Sequence, residues 1–362
     1  MEFRAQPSRG ALAAVGSGTH GDTTDSVDAM HEGRPGLDPA VAEVRRAVRV
    51  TLDGRGGAVV VALSGGADSL ALAAATAFEA PRLGIRAEAV VIDHGLQDRS
   101  AAIASRAADL ARGLGLAARV VAVDVRPGSG PEAAARDARY AGLAGAAAET
   151  GADAVLVGHT LDDQAETVLL GLARGSGATS LSGMSPERRD ATGPVWLRPL
   201  LGIRRETTAA ACAAEGLDPW RDPHNLDPAY ARVRVRETVL PTLERELGPG
   251  VAEALARTAE QLREDAAAFQ DMIDETIEDI VEHAEAGISV SVAALAANPA
   301  ALRNRIVRYV VDSEFGVSLT RAQTLEVARL ATDWRGQGPI DLPGCLARRV
   351  GGRIEIVARA AS

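Results

Sequence analysis

The chain has 362 residues, a formal net charge of -10 and a sequence pI near 5.2, which excludes a globally basic nucleic-acid binder but leaves room for a local basic face. Hydrophobic residues make up 46% and aromatics only 3%, so Ala, Val and Leu must fill the core, a composition suited to α/β layers. Lysine is absent from the chain, which removes both a Walker lysine and Schiff-base chemistry, so any nucleotide site must grip phosphates by another device.

Residues 1 to about 36 are rich in Gly, Ser, Thr, Asp and Pro without apolar periodicity and read as a disordered tail. Val41, Val44, Val48 and Leu52 fall on one face of a helix predicted over 39–52. The apolar run Ala58 to Leu63 has the mark of a strand buried on both faces. Helices are predicted over 69–80, 100–114, 131–150 and 162–173, and strands over 87–93, 119–125 and 154–158. This alternation predicts a doubly wound, mostly parallel sheet in a catalytic domain spanning 37–247.

Beyond it, 194–201 reads as extended, 204–215 and 233–247 as helical, and 220–230 as a polar loop. Gly248-Pro249-Gly250 is a strong break and marks the domain boundary. A long amphipathic helix is then predicted over 251–285. It opens a smaller, mainly helical C-terminal domain over 251–362, closed by a hairpin turning at Gly351-Gly352. Cys212 and Cys345 form no CxxC. No apolar run approaches the roughly 18 residues a bilayer crossing needs, and the N-terminal stretch lacks an apolar signal core. The expectation is a cytoplasmic protein with no membrane partner.

Function enters at Ser64-Gly65-Gly66-Ala67-Asp68-Ser69. A buried strand ends, two glycines let the backbone approach an anion, and a helix begins with its amides and positive dipole end facing the ligand. Ser64 and Ser69 offer hydroxyls to phosphate oxygens, and Asp68 beside an anion suits a bridging cation such as Mg²⁺. The plain alternative is a Gly-rich turn with Ser69 capping the helix. His159, Asp162, Asp163 and Glu166 gather at another helix start after a buried strand, where carboxylates could bind Mg²⁺ or accept a proton from an amine. Acidic residues favour a helix N-terminus without any function as well. Arg303, Arg305 and Arg308 with Arg348, Arg349 and Arg353 are candidates for a local basic patch or for an ordinary charged surface.

The SGGADS loop resembles that of the PP-loop ATP pyrophosphatases, a superfamily that cleaves ATP between its α and β phosphates and adenylates substrates. Within it, Val91 to Leu96, Ala138-Arg139-Tyr140, Gly158 to Thr167 running on to Gly177, Arg198 to Leu201, and Asp222 to Asp227 with Arg232 to Arg236 are similar to the tRNA(Ile)-lysidine synthases. Val233 stands where that family usually has Asn. The likeness is strong over about 58–245 and weak in the C-terminal unit.

The resemblance implies ATP contacts at Ser64, Gly65, Gly66, Ala67, Asp68, Ser69, Ile92, His94, Gly158 and His159. It implies Mg²⁺ at Asp68 and Asp163, and catalysis by Asp68, Asp163, Glu166 and Arg234. Arg174, Arg198, Arg232 and Arg236 would meet tRNA or phosphate. The implied reaction adenylates the wobble cytidine of an isoleucine tRNA with a CAU anticodon. Pyrophosphate leaves in that step, and the ε-amine of free L-lysine then attacks C2 and expels AMP. A homodimer is left open. The alternatives are another PP-loop tRNA enzyme, such as a thiolase, and a non-catalytic nucleotide-binding module.

Overall fold

Continuous apolar strands need cover on both faces, and the structure supplies it with helices. The structure, a computed structural model, describes residues 36–95, 99–125, 131–175, 177–222, 227–284 and 287–359. The predicted N-terminal tail, Leu96, Ser176 and the segment 223–226 therefore lie outside the described residues.

In chain order the first domain runs α1 (Pro39–Leu52), β1 (Ala58–Ala62), α2 (Ala67–Glu79), β2 (Arg86–Asp93), α3 (Ser100–Gly113), β3 (Ala117–Ala122), α4 (Pro131–Thr150), β4 (Ala154–Leu156), α5 (Leu161–Ala173), α6 (Ala178–Leu181), β5 (Glu187–Arg188), β6 (Val195–Leu197), α7 (Arg205–Ala214), α8 (Ala231–Arg234) and α9 (Leu240–Leu247). The sheet order is β3-β2-β1-β4-β6-β5. All pairings are parallel except the short edge pair β5–β6. Val60 sits between Glu88 of β2 and Val155 of β4. Because the chain steps outward from β1 to β3 and then returns to the other side of β1, the strand order reverses between β1 and β4. The loops after those two strands open together at the carboxyl edge, where ligands of such sheets bind.

Helices α1, α2, α3 and α7 cover one face, around Val59, Val61, Leu70, Leu72 and Leu156. Helix α4 covers the other, with Leu143, Ala146 and Ala147 against Val60, Val90 and Val155. The apolar stripe of α1 is buried as its spacing predicts, and Asp38 caps it by accepting from the Ala40 amide at 2.8 Å. Among the described residues no helix is long and apolar enough to cross a membrane.

The C-terminal domain follows as α10 (Val251–Ile280), β7 (Val281–Ala284), β8 (Gly287–Ser291), α11 (Val292–Ala297), α12 (Ala300–Phe315), α13 (Arg321–Thr332), β9 (Ile340–Leu342), β10 (Cys345–Val350) and β11 (Arg353–Ala358). The predicted terminal hairpin is β10–β11, with Val350 opposite Arg353 across the Gly351-Gly352 turn. It belongs to a five-stranded antiparallel sheet, β7-β8-β11-β10-β9, packed on α12 and α13 around Ile306, Leu330 and Ile354.

Three boundaries differ from the expectation. The long helix ends at Ile280, because Val281 to Ala284 pair with β8 instead; pairing overrides their local helical preference. The third strand is Ala117–Ala122, displaced toward its N-terminus by its register with β2. The helix expected over 233–247 runs as α8, a wide five-residue π turn over Val235–Val239, and α9. Pro241, with no N–H to donate, accounts for the interruption. The break at 248–250 is a true chain turn: Gly248 and Gly250 take φ of 93° and 100°. Glu244 then caps α10, accepting from the Gly250 amide at 2.7 Å and the Ala252 amide at 3.0 Å.

Candidate active site

The loop between β1 and α2 is pre-formed by its own hydroxyls. Ser64 N–H donates to Ser69 Oγ at 3.1 Å, and the Ser69 hydroxyl donates to the Gly66 carbonyl at 2.9 Å. Ser69 is therefore a brace for the loop. Its hydroxyl is buried and bound within the loop. Gly65 takes φ 84°, a conformation that favours glycine. Gly66 stands at the helix N-cap and no side chain caps α2, so the first-turn amides are left to an external anion. Gly158, just past β4, packs against this loop: a Cβ there would lie 3.1 Å from the Asp68 carbonyl carbon and oxygen and 3.2 Å from the Ser69 nitrogen.

Across the switch point, α5 begins with a capping box. Thr160 N–H donates to Asp163 Oδ2 at 2.9 Å, and Thr160 Oγ1 accepts from the Asp163 amide. This box aims Asp163 and, one turn on, Glu166 at three arginines. Glu166, fully buried, accepts from Arg236 Nε at 2.7 Å and Nη2 at 3.1 Å, from Arg232 Nε at 2.9 Å, and from Arg205 at 3.3 Å. Arg205 also donates to Asp163 Oδ1 at 3.0 Å and lies 3.6 Å from Asp68 Oδ2. Its backbone N–H donates to Asp162 Oδ2 at 2.7 Å. Thr208, one turn into α7, donates its hydroxyl to Asp68 Oδ1. The π turn opens directly before Arg236, consistent with the use of such turns at functional sites.

The electrostatics follow from this geometry. Burial pushes the Asp68 carboxyl above its ordinary range; the Thr208 hydrogen bond and Arg205 oppose that push, and Asp163 adds to it. Burial acts the same way on Asp163, but Arg205 and the Thr160 amide outweigh it and hold that carboxyl below its usual value. Arg205 is held above its ordinary value: burial alone would lower it, and Asp163, Glu166 and Asp68 override that.

Behind the carboxylates sits His159, mostly buried, with Nδ1 lacking a hydrogen-bond partner. Burial, then the repulsion of Arg139, Arg198 and Arg136 against the attraction of Asp163, lowers its pKa to about 3. His94 is half-buried with its Nδ1 likewise unpartnered, and burial and Arg139 lower its pKa. His94 and His159 follow the carboxyl ends of β2 and β4, and the positive charge acting on both comes from Arg139.

The sequence-derived residues thus divide. Asp68, Asp163, Glu166, Arg232 and Arg236 converge on one cluster. Ile92 turns its side chain into the sheet face, its Cδ1 lying 3.0 Å from where a Cβ of Gly142 would stand. Arg234 points away, donating to the Pro228 and Ala229 carbonyls at 2.6 and 2.9 Å. Val233 is buried, so an apolar residue suits that position. Arg198 is buried and donates to the Ser185 carbonyl at 2.6 Å. Arg174 is exposed at the far end of α5, about 12 Å along the helix from Glu166. In the C-terminal domain, Glu355 and Glu282 pair with Arg348 and Arg353 at 2.9 and 3.0 Å.

Sequence reasoning missed Arg205 and Thr208 as site residues; only the helical stretch after Leu201 was legible there. It also missed the approach of Arg136 to His159. Among the described residues no three His, Cys, Asp or Glu side chains are grouped to hold a metal by themselves. Two hard carboxylates with a guanidinium standing as a cation between them do fit Mg²⁺, which completes its shell with phosphate oxygens and water. Cys212 is buried, donates to the Ala67 carbonyl at 3.3 Å, and is pushed up to about 11 by burial and Asp68. It is a packing thiol behind the loop, with no thiolate character for sulfur chemistry.

The fold and loop define a PP-loop ATP-binding protein: the family model described as "PP-loop domain" matches residues 41–243, and one described as "TilS substrate binding domain" matches 291–355. The tRNA(Ile)-lysidine synthase of Leifsonia xyli is 59% identical over 299 residues, 82% of this chain and 89% of that protein. That of Salinispora tropica is 53% identical over 325 residues, 87% of this chain and 96% of that protein. The chain belongs to the tRNA(Ile)-lysidine synthase family. Among solved structures, the U34-tRNA thiolase NcsA from Methanococcus maripaludis, described with its [4Fe-4S] cluster, aligns with TM-score 0.53 at 20% identity, covering 62% of this chain and 80% of that one; this likeness concerns the fold.

Proposed function

We propose that the protein ligates the ε-amine of free L-lysine to C2 of the wobble cytidine of an isoleucine tRNA with a CAU anticodon, through an adenylated tRNA. The observation that carries this is the convergence of Asp68 from the phosphate loop with Asp163 and Glu166 from α5 on one guanidinium, Arg205. It joins a pyrophosphate grip to carboxylates already paired with a cation, the kind of partner a lysine ammonium also is.

In this reading the catalytic domain over 37–247 holds ATP and the part from 251 engages the tRNA. Amides at Gly65, Gly66 and the start of α2 hold the departing pyrophosphate, with Gly158 letting the loop sit close. Mg²⁺, held by Asp68 and Asp163, would supply charge neutralisation on the phosphates. Arg232 and Arg236 fix Glu166 and face charge building on the α phosphate. His159 and His94, neutral imidazoles backed by arginines, line the nucleotide wall. Adenylation converts a poor leaving oxygen at C2 into a good one. One of the two carboxylates, Asp163 or Glu166, then accepts the proton of the ammonium, and the cytosine must be presented unstacked.

The test is transfer of radiolabelled lysine to unfractionated deacylated tRNA with ATP present. Stable label in RNA that disappears with Asp68→Ala is expected. An ATP-binding protein that labels no tRNA would refute the reading.

A further inference from the structure

Resting on that reading, we propose that Arg205 is a positioning residue that occupies the cation place between Asp68 and Asp163 in the nucleotide-free enzyme, so that divalent metal is admitted only together with ATP.

Charge balance is the first argument. Three carboxylates, Asp68, Asp163 and Glu166, face three guanidiniums, Arg205, Arg232 and Arg236. These six side chains balance in charge. Adding a divalent cation alone would place two uncompensated charges in a largely buried site, which is strongly disfavoured. The nucleotide brings the negative charge that restores balance.

Geometry says which guanidinium gives way. Arg205 is the one that touches all three carboxylates, including both expected metal ligands. Its bonds to Glu166, 3.3 Å from each Nη, are long beside those of Arg232 and Arg236 at 2.9 and 2.7 Å. Glu166 therefore keeps its partners when Arg205 leaves. The backbone of Arg205 stays anchored through its N–H on Asp162, so only the side chain has to swing. Asp68 retains Thr208, and Asp163 retains the Thr160 amide, so both carboxylates remain oriented. Phosphates arriving at the loop compete for the fork, since guanidinium binds phosphate and carboxylate with the same bidentate geometry.

Mn²⁺ binding, read from the electron paramagnetic resonance signal of the free ion, tests this on the full chain. Wild type should bind Mn²⁺ weakly alone and tightly with α,β-methylene-ATP, which cannot be cleaved between its α and β phosphates. Arg205→Ala and the bulk-retaining Arg205→Gln should bind nucleotide-free Mn²⁺ about tenfold or more tighter than wild type. Adding Asp68→Asn should abolish that gain. A structural role for Arg205 would weaken folding without creating a metal site. No gain in either variant that keeps a native circular dichroism spectrum overturns the proposal, as does wild type binding Mn²⁺ equally well with and without nucleotide. Wild type that fails to bind Mn²⁺ even with the analogue overturns the ATP·Mg²⁺ reading itself, and the proposal with it.

Discussion

Replacing Gly158 with Ala puts one methyl group against the phosphate loop, and the structure sets its cost. The new Cβ would lie 3.1 Å from two backbone atoms of Asp68 and 3.2 Å from the Ser69 nitrogen, where ordinary contact begins at 3.4 Å. These neighbours are backbone, so no flexible side chain can yield. Strand β4 is locked between β1 and β6, which leaves the loop to retreat by a few tenths of an ångström. Overpacking of this size costs about 1–3 kcal/mol. The retreat moves the amides that would meet the pyrophosphate, so about half of that cost should appear as lost nucleotide affinity, a factor of about 2 to 13. Calorimetric titration with α,β-methylene-ATP measures it. The control is Gly145→Ala on α4, where a Cβ meets nothing within 4 Å. Unchanged affinity in Gly158→Ala, with the fold intact, would refute the claim that the loop's position depends on this missing methyl.

Gly145→Ala should itself stabilise the protein by about 0.5–1 kcal/mol through helix propensity, seen as a raised denaturation midpoint. Glu166→Gln keeps the shape but strips the charge from under three arginines that are each about a quarter exposed; about 2–3 kcal/mol should be lost, a fall of roughly 5–10 °C in melting temperature, and an unchanged melt would count against the cluster as a stabilising unit. His159 has a folded pKa of about 3 against an ordinary imidazole value of 6.5. The unfolded chain therefore takes up its proton first, and stability should fall as pH drops from 6.5 toward 3, on the order of 1 kcal/mol per unit. His159→Gln should flatten that slope in denaturant titrations run across this window, and an equal slope in both proteins would show that the imidazole is not buried neutral.

How far the sequence could be read depended on whether a feature was local. The loop from Ser64 to Ser69 was legible because strand, glycines and helix start are contiguous, and each contributes its own signal. The carboxylates of α5 were legible for the same reason. Arg205 was not, since nothing next to it announces a site; its importance comes from three carboxylates on two other segments. Ser69 was legible as a motif position, but the direction of its hydroxyl was not, since it is set by the Gly66 carbonyl. Arg234 shows the limit of a motif: it shares the Arg-x-Arg-x-Arg spacing, yet lies between two residues that point the other way. Strand β7 was hidden because Val281 to Ala284 carry no strand pattern of their own and are ordered by β8.

The site's dispersion along the chain has a consequence for synthesis. Glu166 is buried on arginines at positions 205, 232 and 236, so a nascent chain halted before residue 232 already has its phosphate loop but lacks two of the three guanidiniums that neutralise the acidic pocket. The balanced cluster forms only when α8 and the π turn emerge and dock.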